Sequence, residues 1–226
     1  MRLTVLIVLT FVVFGCVSLY LGQDDESDTR GYHSYIAWAW LNDQTFEDIG
    51  VDYWASYYNP IPEMPWYLLQ HWTNSARITA FILGGIHGML ALGIGLFAYW
   101  WLESWLIGVV CAIAAAVSPS FMQNLGTQFH DNEAAILALV GLFLLFFKSY
   151  KGLGWKVAAM SGLMFGLSLG WKLTGVIFVA GCVAVWIYRL IVLVDRKTII
   201  KQCAIWGAGL LAGFAIVQGY WSYYLY

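Results

Sequence analysis

A polar segment directly after the first apolar block places an acid, a base, a phenol and an imidazole within six residues: Asp28-Thr29-Arg30-Gly31-Tyr32-His33. A carboxylate at this position would lie near the membrane surface, where it can act as a general base toward a hydroxyl group. A solvated acidic cluster at a helix end would account for the same residues without chemistry. Asp28 is therefore a candidate catalytic base, and a solvated acidic cluster is the alternative interpretation.

A second polar segment runs from Gly126 to Glu133 and leads into another apolar block. Asp131 and Asn132 are good N-cap residues, and Glu133 suits a first helical turn, so capping alone could explain all three. His130 and Glu133 have helical i, i+3 spacing and are candidate metal ligands. A divalent cation is thus the candidate cofactor, with capping as the alternative explanation.

A third polar segment, Gly170-Trp171-Lys172-Leu173-Thr174, separates two apolar blocks. Lys172 could simply extend its ammonium group to the membrane interface. A charge among apolar helices is also a functional hypothesis by default, and this one could hold an anionic phosphate.

The composition predicts which secondary structure lies between these three polar segments. The chain is 61% hydrophobic and 11% charged, whereas soluble domains carry roughly 25% charged residues. Because a spanning helix needs ~20 apolar residues, we predict an all-α polytopic membrane protein with about seven transmembrane helices in a single domain, 1–226. Two short blocks, 105–118 and 157–170, must extend into flanking residues or be partly re-entrant. The predicted spans are 3–21, 78–101, 105–118, 134–147, 157–170, 173–194 and 203–221.

The segment 22–77 is predicted to be one long polar and aromatic loop. It begins with acidic residues at 24–28, and the aromatic stretch 32–41 suits a short helix along the membrane surface. Pro60, Pro62 and Pro65 exclude a continuous helix after it. The many aromatic residues argue against disorder, so a functional loop is expected.

The charges predict an orientation. With the N-terminus in the cytoplasm, eight of the 11 basic residues lie inside and three lie outside, as the positive-inside rule requires. The three polar segments then share the extracytoplasmic face. The basic residues do not form a patch interleaved with aromatics, so nucleic acid is not an expected partner. The three predicted to lie outside are Arg30, Arg77 and Lys172.

Taken in order, these segments resemble the GT-C superfamily of integral-membrane glycosyltransferases, which use polyprenyl-phosphate sugars. The first piece is 28–39, with the pattern D-x-x-x-Y-H-x-Y-x-A-x-A. The second comprises 48–49, 56–60 and 65–67. The third is 126–132, which ends in D-N, and the fourth is 166–174, with the pattern G-x-x-x-G-x-K-x-T.

The resemblance implies a fold with a long first extracytoplasmic loop that carries membrane-surface helices. It implies transfer of a sugar from a polyprenyl-phosphate donor to a hydroxyl of a glycan, lipid or protein acceptor, with Asp28 as the base. Lys172, and secondly Arg30, would hold the donor phosphate. Tyr32 and His33 would belong to the substrate site, and Asp131 and Asn132 would orient hydroxyl groups. The location implied is a bacterial cytoplasmic membrane, in contact with lipid.

The chain also departs from the family pattern. Family members usually have more spans, so the present sequence is expected to be the N-terminal part of a longer chain or a reduced version. A transporter or flippase of lipid-linked substrates, and a non-catalytic accessory subunit, remain as alternatives. Transporters place polar groups near the membrane midplane, whereas polarity here gathers at one face, which favours interfacial chemistry.

Overall fold

The computed structural model describes residues 2–22, 27–47, 53–147, 154–192 and 195–225. In these ranges the chain is helical and contains no strand, which confirms the all-α prediction. The α-helices of the described ranges are α1 Arg2–Leu21, α2 Ser34–Leu41, α3 Met64–Thr73, α4 Ala76–Leu102, α5 Trp105–Ala116, α6 Pro119–Gln123, α7 Asp131–Phe147, α8 Trp155–Trp171, α9 Val176–Val192, α10 Arg196–Phe214 and α11 Tyr220–Leu225.

Four helical segments are long and apolar enough to cross a membrane, as expected of an integral membrane protein. The helices α5, α7 and α8 coincide with three further predicted blocks but have only 12, 17 and 17 residues. A span needs ~20 residues, so a total of about seven spans and the orientation stay predictions. The four long segments are Leu3–Leu21, Ala76–Leu102, Leu173–Val192 and Arg196–Leu225.

The described chain divides into two compact units, Met1–Asn132 and Glu133–Tyr226, with the boundary in the first turn of α7. In the first unit, α4 packs against both α1 and α5. Small residues permit this packing, because Gly84 and Gly85 lie against Ser18 and Phe11 of α1. The Ser18 hydroxyl also donates a hydrogen bond of 2.9 Å to the carbonyl oxygen of Ala80.

The loop between α1 and α4 is built from short helical pieces. A π-helical turn, Thr29–His33, continues directly into α2, so the predicted short helix near 32–41 is confirmed as a helix. A 3-10 turn, Tyr53–Tyr57, and then α3 follow. Pro65 is the second residue of α3, where a missing N–H group is tolerated. The prediction that no continuous helix crosses the prolines is also confirmed.

The second unit is centred on α8 and α10, whose backbones approach closely through glycines. A Cβ atom added to Gly162 would overlap the carbonyl oxygen of Trp206, and one added to Gly209 would overlap that of Ala159. The core beside this contact contains the fully buried Phe165. Close approach of small residues is how helices associate where surrounding lipid is as apolar as the helices themselves.

Serine hydroxyl groups add hydrogen bonds between helices of the second unit. Ser161 donates to the carbonyl oxygen of Gly141 at 2.8 Å, and Ser168 donates to that of Ala134 at 2.7 Å. Both serines are completely buried. These bonds connect α8 to α7 and fix the C-terminal end of α8, where Lys172 follows.

Candidate functional site

Three buried residues of the first unit form what we call the His–Glu–His cluster: His33, Glu63 and His130. The Nδ1 atom of His33 lies 2.6 Å from Oε1 of Glu63, and the Nε2 atom of His130 lies 2.7 Å from the same oxygen. The three residues are 5%, 4% and 4% exposed. Two buried imidazoles thus share one carboxylate oxygen.

Glu63 is positioned by the proline-rich turn before α3. The side chain of Asn59 accepts a hydrogen bond from the backbone N–H of Ile61 at 3.0 Å, and the N–H of Glu63 donates to the carbonyl oxygen of Pro60 at 3.1 Å. Glu63 occupies the N-cap position of α3, yet its side chain makes no capping bond to that helix. The carboxylate instead contacts the two histidines, at the expense of the usual local role of such a residue.

His130 is positioned by the loop between α6 and α7. The backbone N–H of Gly126 donates to Nδ1 of His87 in α4 at 3.1 Å. Gly126 has a φ of 77° and lies so close to Ser18 that a Cβ atom would overlap its hydroxyl oxygen. Only glycine fits there without strain. His130 itself has a φ of 64°, a region that few non-glycine residues occupy and that often marks functional sites.

The electrostatics favour an ionised Glu63. Burial alone raises the pKa of its carboxyl group, but His130 and His33, through hydrogen bonding and charge, outweigh burial and hold the pKa below its ordinary value. The pKa of the nearby Tyr32 is raised by burial and by the carboxylate of Asp28, so its phenol stays protonated. The cluster therefore keeps a carboxylate in a site that solvent scarcely reaches.

Asp28 adjoins this cluster through Tyr32. The phenol of Tyr32 lies 3.4 Å from Oδ2 of Asp28, to which it donates a long hydrogen bond. The ring of Tyr32 lies against that of His33, with centroids 4.3 Å apart, and the ring of Tyr58 meets it edge-on at 5.4 Å. Asp28 is half-buried. The structure thus connects Asp28, through Tyr32 and then His33, to His130 of the second segment.

The remaining predicted site residues of the first unit are Asn132, Asp131 and Arg30. Asn132 is buried, and its side-chain amide donates to the carbonyl oxygen of Phe121 at 3.3 Å, which ties the start of α7 to α6. Asp131 is the first residue of α7 and is half-buried. The side chain of Arg30 lies outside the described residues, as do the acidic residues 24–26 and the motif piece 48–49.

In the second unit, the predicted residues Glu133 and Lys172 both adjoin Trp171. Glu133 is 6% exposed, and its Oε2 accepts a hydrogen bond of 3.2 Å from the indole N–H of Trp171. Lys172 has extended backbone geometry between α8 and a 3-10 turn, Leu173–Gly175, and is half-buried. Parts of the second and third polar segments therefore meet within this unit.

Sequence reasoning identified two members of the His–Glu–His cluster and missed the third. Among the described residues, the group with suitable geometry for a metal ion consists of His33, Glu63 and His130. Glu133, the predicted partner of His130, does not belong to this group. The available signal for Glu63 was its place as a lone acid among Pro60, Pro62 and Pro65. Two imidazoles and a carboxylate can hold a proton network or a divalent ion.

Comparisons with known proteins add no identity to this geometry. No family model matches the chain, and no curated protein or solved structure matches it.

Proposed function

We propose that this protein is a membrane glycosyltransferase that moves a sugar from a polyprenyl-phosphate donor to an acceptor hydroxyl on the extracytoplasmic face. The observation that supports the proposal is the contact between the predicted base and a buried polar cluster. Asp28 is held by Tyr32, and Tyr32 packs on His33 of that cluster. A general base needs such fixed orientation, since misplacement weakens proton transfer.

In the proposed reaction, the carboxylate of Asp28 accepts the proton of the acceptor hydroxyl. The acceptor oxygen forms a bond to the anomeric carbon as the bond from that carbon to the phosphate oxygen breaks. Polyprenyl phosphate leaves with that electron pair, and the sugar is transferred with inversion. Lys172 and Arg30 are the candidates for binding the phosphate, where a cation stabilises the charge that develops on the leaving group.

The remaining polar residues have supporting roles in this proposal. Asp131 is a candidate for orienting sugar or acceptor hydroxyl groups. Asn132 is less available, because its amide already donates to the carbonyl oxygen of Phe121. Tyr32 positions Asp28 rather than reacting, since its raised pKa keeps the phenol protonated.

Release of polyprenyl phosphate tests the proposal. The protein is reconstituted in vesicles with polyprenyl-phosphate sugars and an acceptor glycan or lipid, and the released lipid phosphate is measured. Loss of a general base reduces the rate by about 10²–10⁴-fold, so we expect a reduction of that order for Asp28→Asn. The matched control is Asp43→Asn, an exposed acid in the turn after α2, which should retain the wild-type rate.

Two results would contradict the proposal. Wild-type release by a well-inserted Asp28→Asn variant would remove Asp28 as the base. Movement of labelled lipid across the vesicle by the wild-type protein, without release of polyprenyl phosphate, would support the transporter alternative instead.

A further inference from the structure

We infer that the His–Glu–His cluster binds one divalent transition-metal ion, with zinc as the best match to its donor atoms. His33, Glu63 and His130 each offer one ligand atom, and these atoms lie within 4.8 Å of one another. Two imidazole nitrogens and one carboxylate oxygen form a three-residue set that zinc accepts, with a further coordination position left open. The inference does not depend on sugar transfer, because metal binding is measured without any substrate.

The dimensions of the cluster fit this ion after a small adjustment. Zinc lies about 2.0–2.2 Å from nitrogen and oxygen ligands, so tetrahedral ligand atoms are about 3.4 Å apart. In the structure, Oε1 of Glu63 lies 2.6 Å and 2.7 Å from the two histidine nitrogens. Each nitrogen must therefore move away from Oε1 by less than about 1 Å to admit the ion, and the two nitrogens lie within 4.8 Å of each other.

An unsatisfied buried oxygen indicates that the protein alone does not complete the site. In the part of the chain that the structure describes, Oε2 of Glu63 is buried without a hydrogen-bond partner, and an ion bound to Oε1 can also contact this second oxygen of the same carboxylate. Buried polar atoms of this kind are rare and call for a water or an ion. A buried carboxylate also needs compensating positive charge, which a dication supplies more fully than a shared imidazole proton.

The alternative is a cluster held only by hydrogen bonds, with both imidazoles as donors to Glu63. That arrangement accounts for the two short contacts. It leaves the second carboxylate oxygen without a partner among the described residues. The two possibilities differ in metal content, which makes the inference directly testable.

A metal ion here would join segments that are far apart in the sequence. His33 ends the π-helical turn, Glu63 precedes α3 and His130 precedes α7. His33 and Glu63 are separated by 30 residues, and His130 belongs to a different loop. Because such a site cannot exist in the unfolded chain, metal binding contributes directly to folding. The ion would hold both loops in place beside Asp28 and Tyr32.

Metal analysis of the purified full chain tests the inference. The protein is stripped with a chelator, reloaded with zinc, separated from free ion and analysed by plasma mass spectrometry. We expect about one zinc per wild-type chain and a loss of most of it in Glu63→Gln and His130→Gln. The matched control is His71→Gln, because His71 of α3 is exposed and stacks on Tyr67; it should bind as the wild type does.

Cobalt substitution gives a second readout on the wild-type protein, so the test does not depend on a variant that folds. Reloading with Co²⁺ should produce the visible absorption of a four-coordinate ion with nitrogen and oxygen ligands. Zinc should also raise the midpoint of thermal unfolding of the wild type and of His71→Gln, but not that of His130→Gln. Wild-type protein that binds no zinc or cobalt after reloading, or equal zinc content in the wild type and both cluster variants, would overturn the inference.

Discussion

The two units of this protein bury polarity in different ways. The first unit gathers charged and titratable side chains from separate loops into the His–Glu–His cluster, where each residue is at most 5% exposed. The second unit brings backbones together through glycines and satisfies its buried serines with backbone carbonyl groups. The stability of the first unit therefore depends on which polar groups contact each other. The stability of the second depends on side chains that are small enough for two helices to pack closely.

The two units should therefore be sensitive to different kinds of substitution. Removing one partner of a buried charge leaves the others uncompensated, which is costly even if the shape is kept. Adding a single carbon to a closely packed glycine forces two backbones apart, which is costly even if no polarity changes. The predictions below separate these two kinds of dependence.

The largest effect is expected from Glu63→Ala in the first unit. Removing the carboxylate leaves His33 and His130 buried without their shared acceptor. Loss of one member of a buried charged group typically costs about 3–5 kcal/mol of unfolding free energy. Stability is measured by thermal and denaturant unfolding in detergent, after chelator treatment, so that the measured loss reflects the protein contacts alone.

The control Glu47→Ala removes an exposed acid of the same loop and should change stability little. Equal stability of the two variants would show that the cluster does not stabilise the loops.

A smaller effect is expected from Gly162→Ala in the second unit. The added methyl group would overlap the carbonyl oxygen of Trp206, so α8 and α10 must separate. Overpacking of this kind costs about 1–3 kcal/mol, measured as a lower midpoint of unfolding. Gly207→Ala is the matched control, because a Cβ atom at Gly207 meets no other atom within 4 Å. If both variants lose the same stability, the close contact between α8 and α10 is not the cause.

The smallest effect is expected from Asp195→Ala, at the exposed start of α10. Asp195 caps this helix by accepting a hydrogen bond of 3.2 Å from the N–H of Thr198. Hydrogen bonds from the side chain and backbone of Thr198 lower the pKa of Asp195. Because the folded-state pKa is lowered, the stabilisation is present above the unfolded-state pKa and is lost as the pH falls through the folded value.

The difference between the wild type and Asp195→Ala should therefore be greatest near neutral pH and shrink as the pH falls below the ordinary aspartate pKa of about 4. Unfolding midpoints across this range provide the measurement, with Asp195→Asn as a variant that keeps a capping group without the charge. A difference that grows toward acidic pH would contradict the capping explanation.

Much of the local structure follows from the sequence alone. Long apolar blocks predict helices because a helix satisfies its own backbone polar groups inside a bilayer. All seven predicted blocks are helical over their described residues, except for 117–118 at the end of the third block. The prolines of the first loop exclude a continuous helix there. These features are determined within a few turns of the chain, where periodicity and composition carry the information.

The local sequence pattern predicts only some of the residues of the candidate site. Asp28, Tyr32, His33 and His130 stand out as polar residues beside apolar blocks. Glu63 is marked in the sequence only as a lone acid among prolines, and its contacts with the two histidines identify it as a member of the site. His130 contacts Glu63, which is distant in the sequence, although Glu133 is only three residues away. This pairing depends on the directions that the side chain of Glu63 takes from the proline-rich turn and that of His130 takes from a left-handed backbone. Sequence spacing determined which residues could do chemistry, whereas tertiary structure decided which of them share a buried oxygen atom, because burial and loop geometry arise only when distant segments pack.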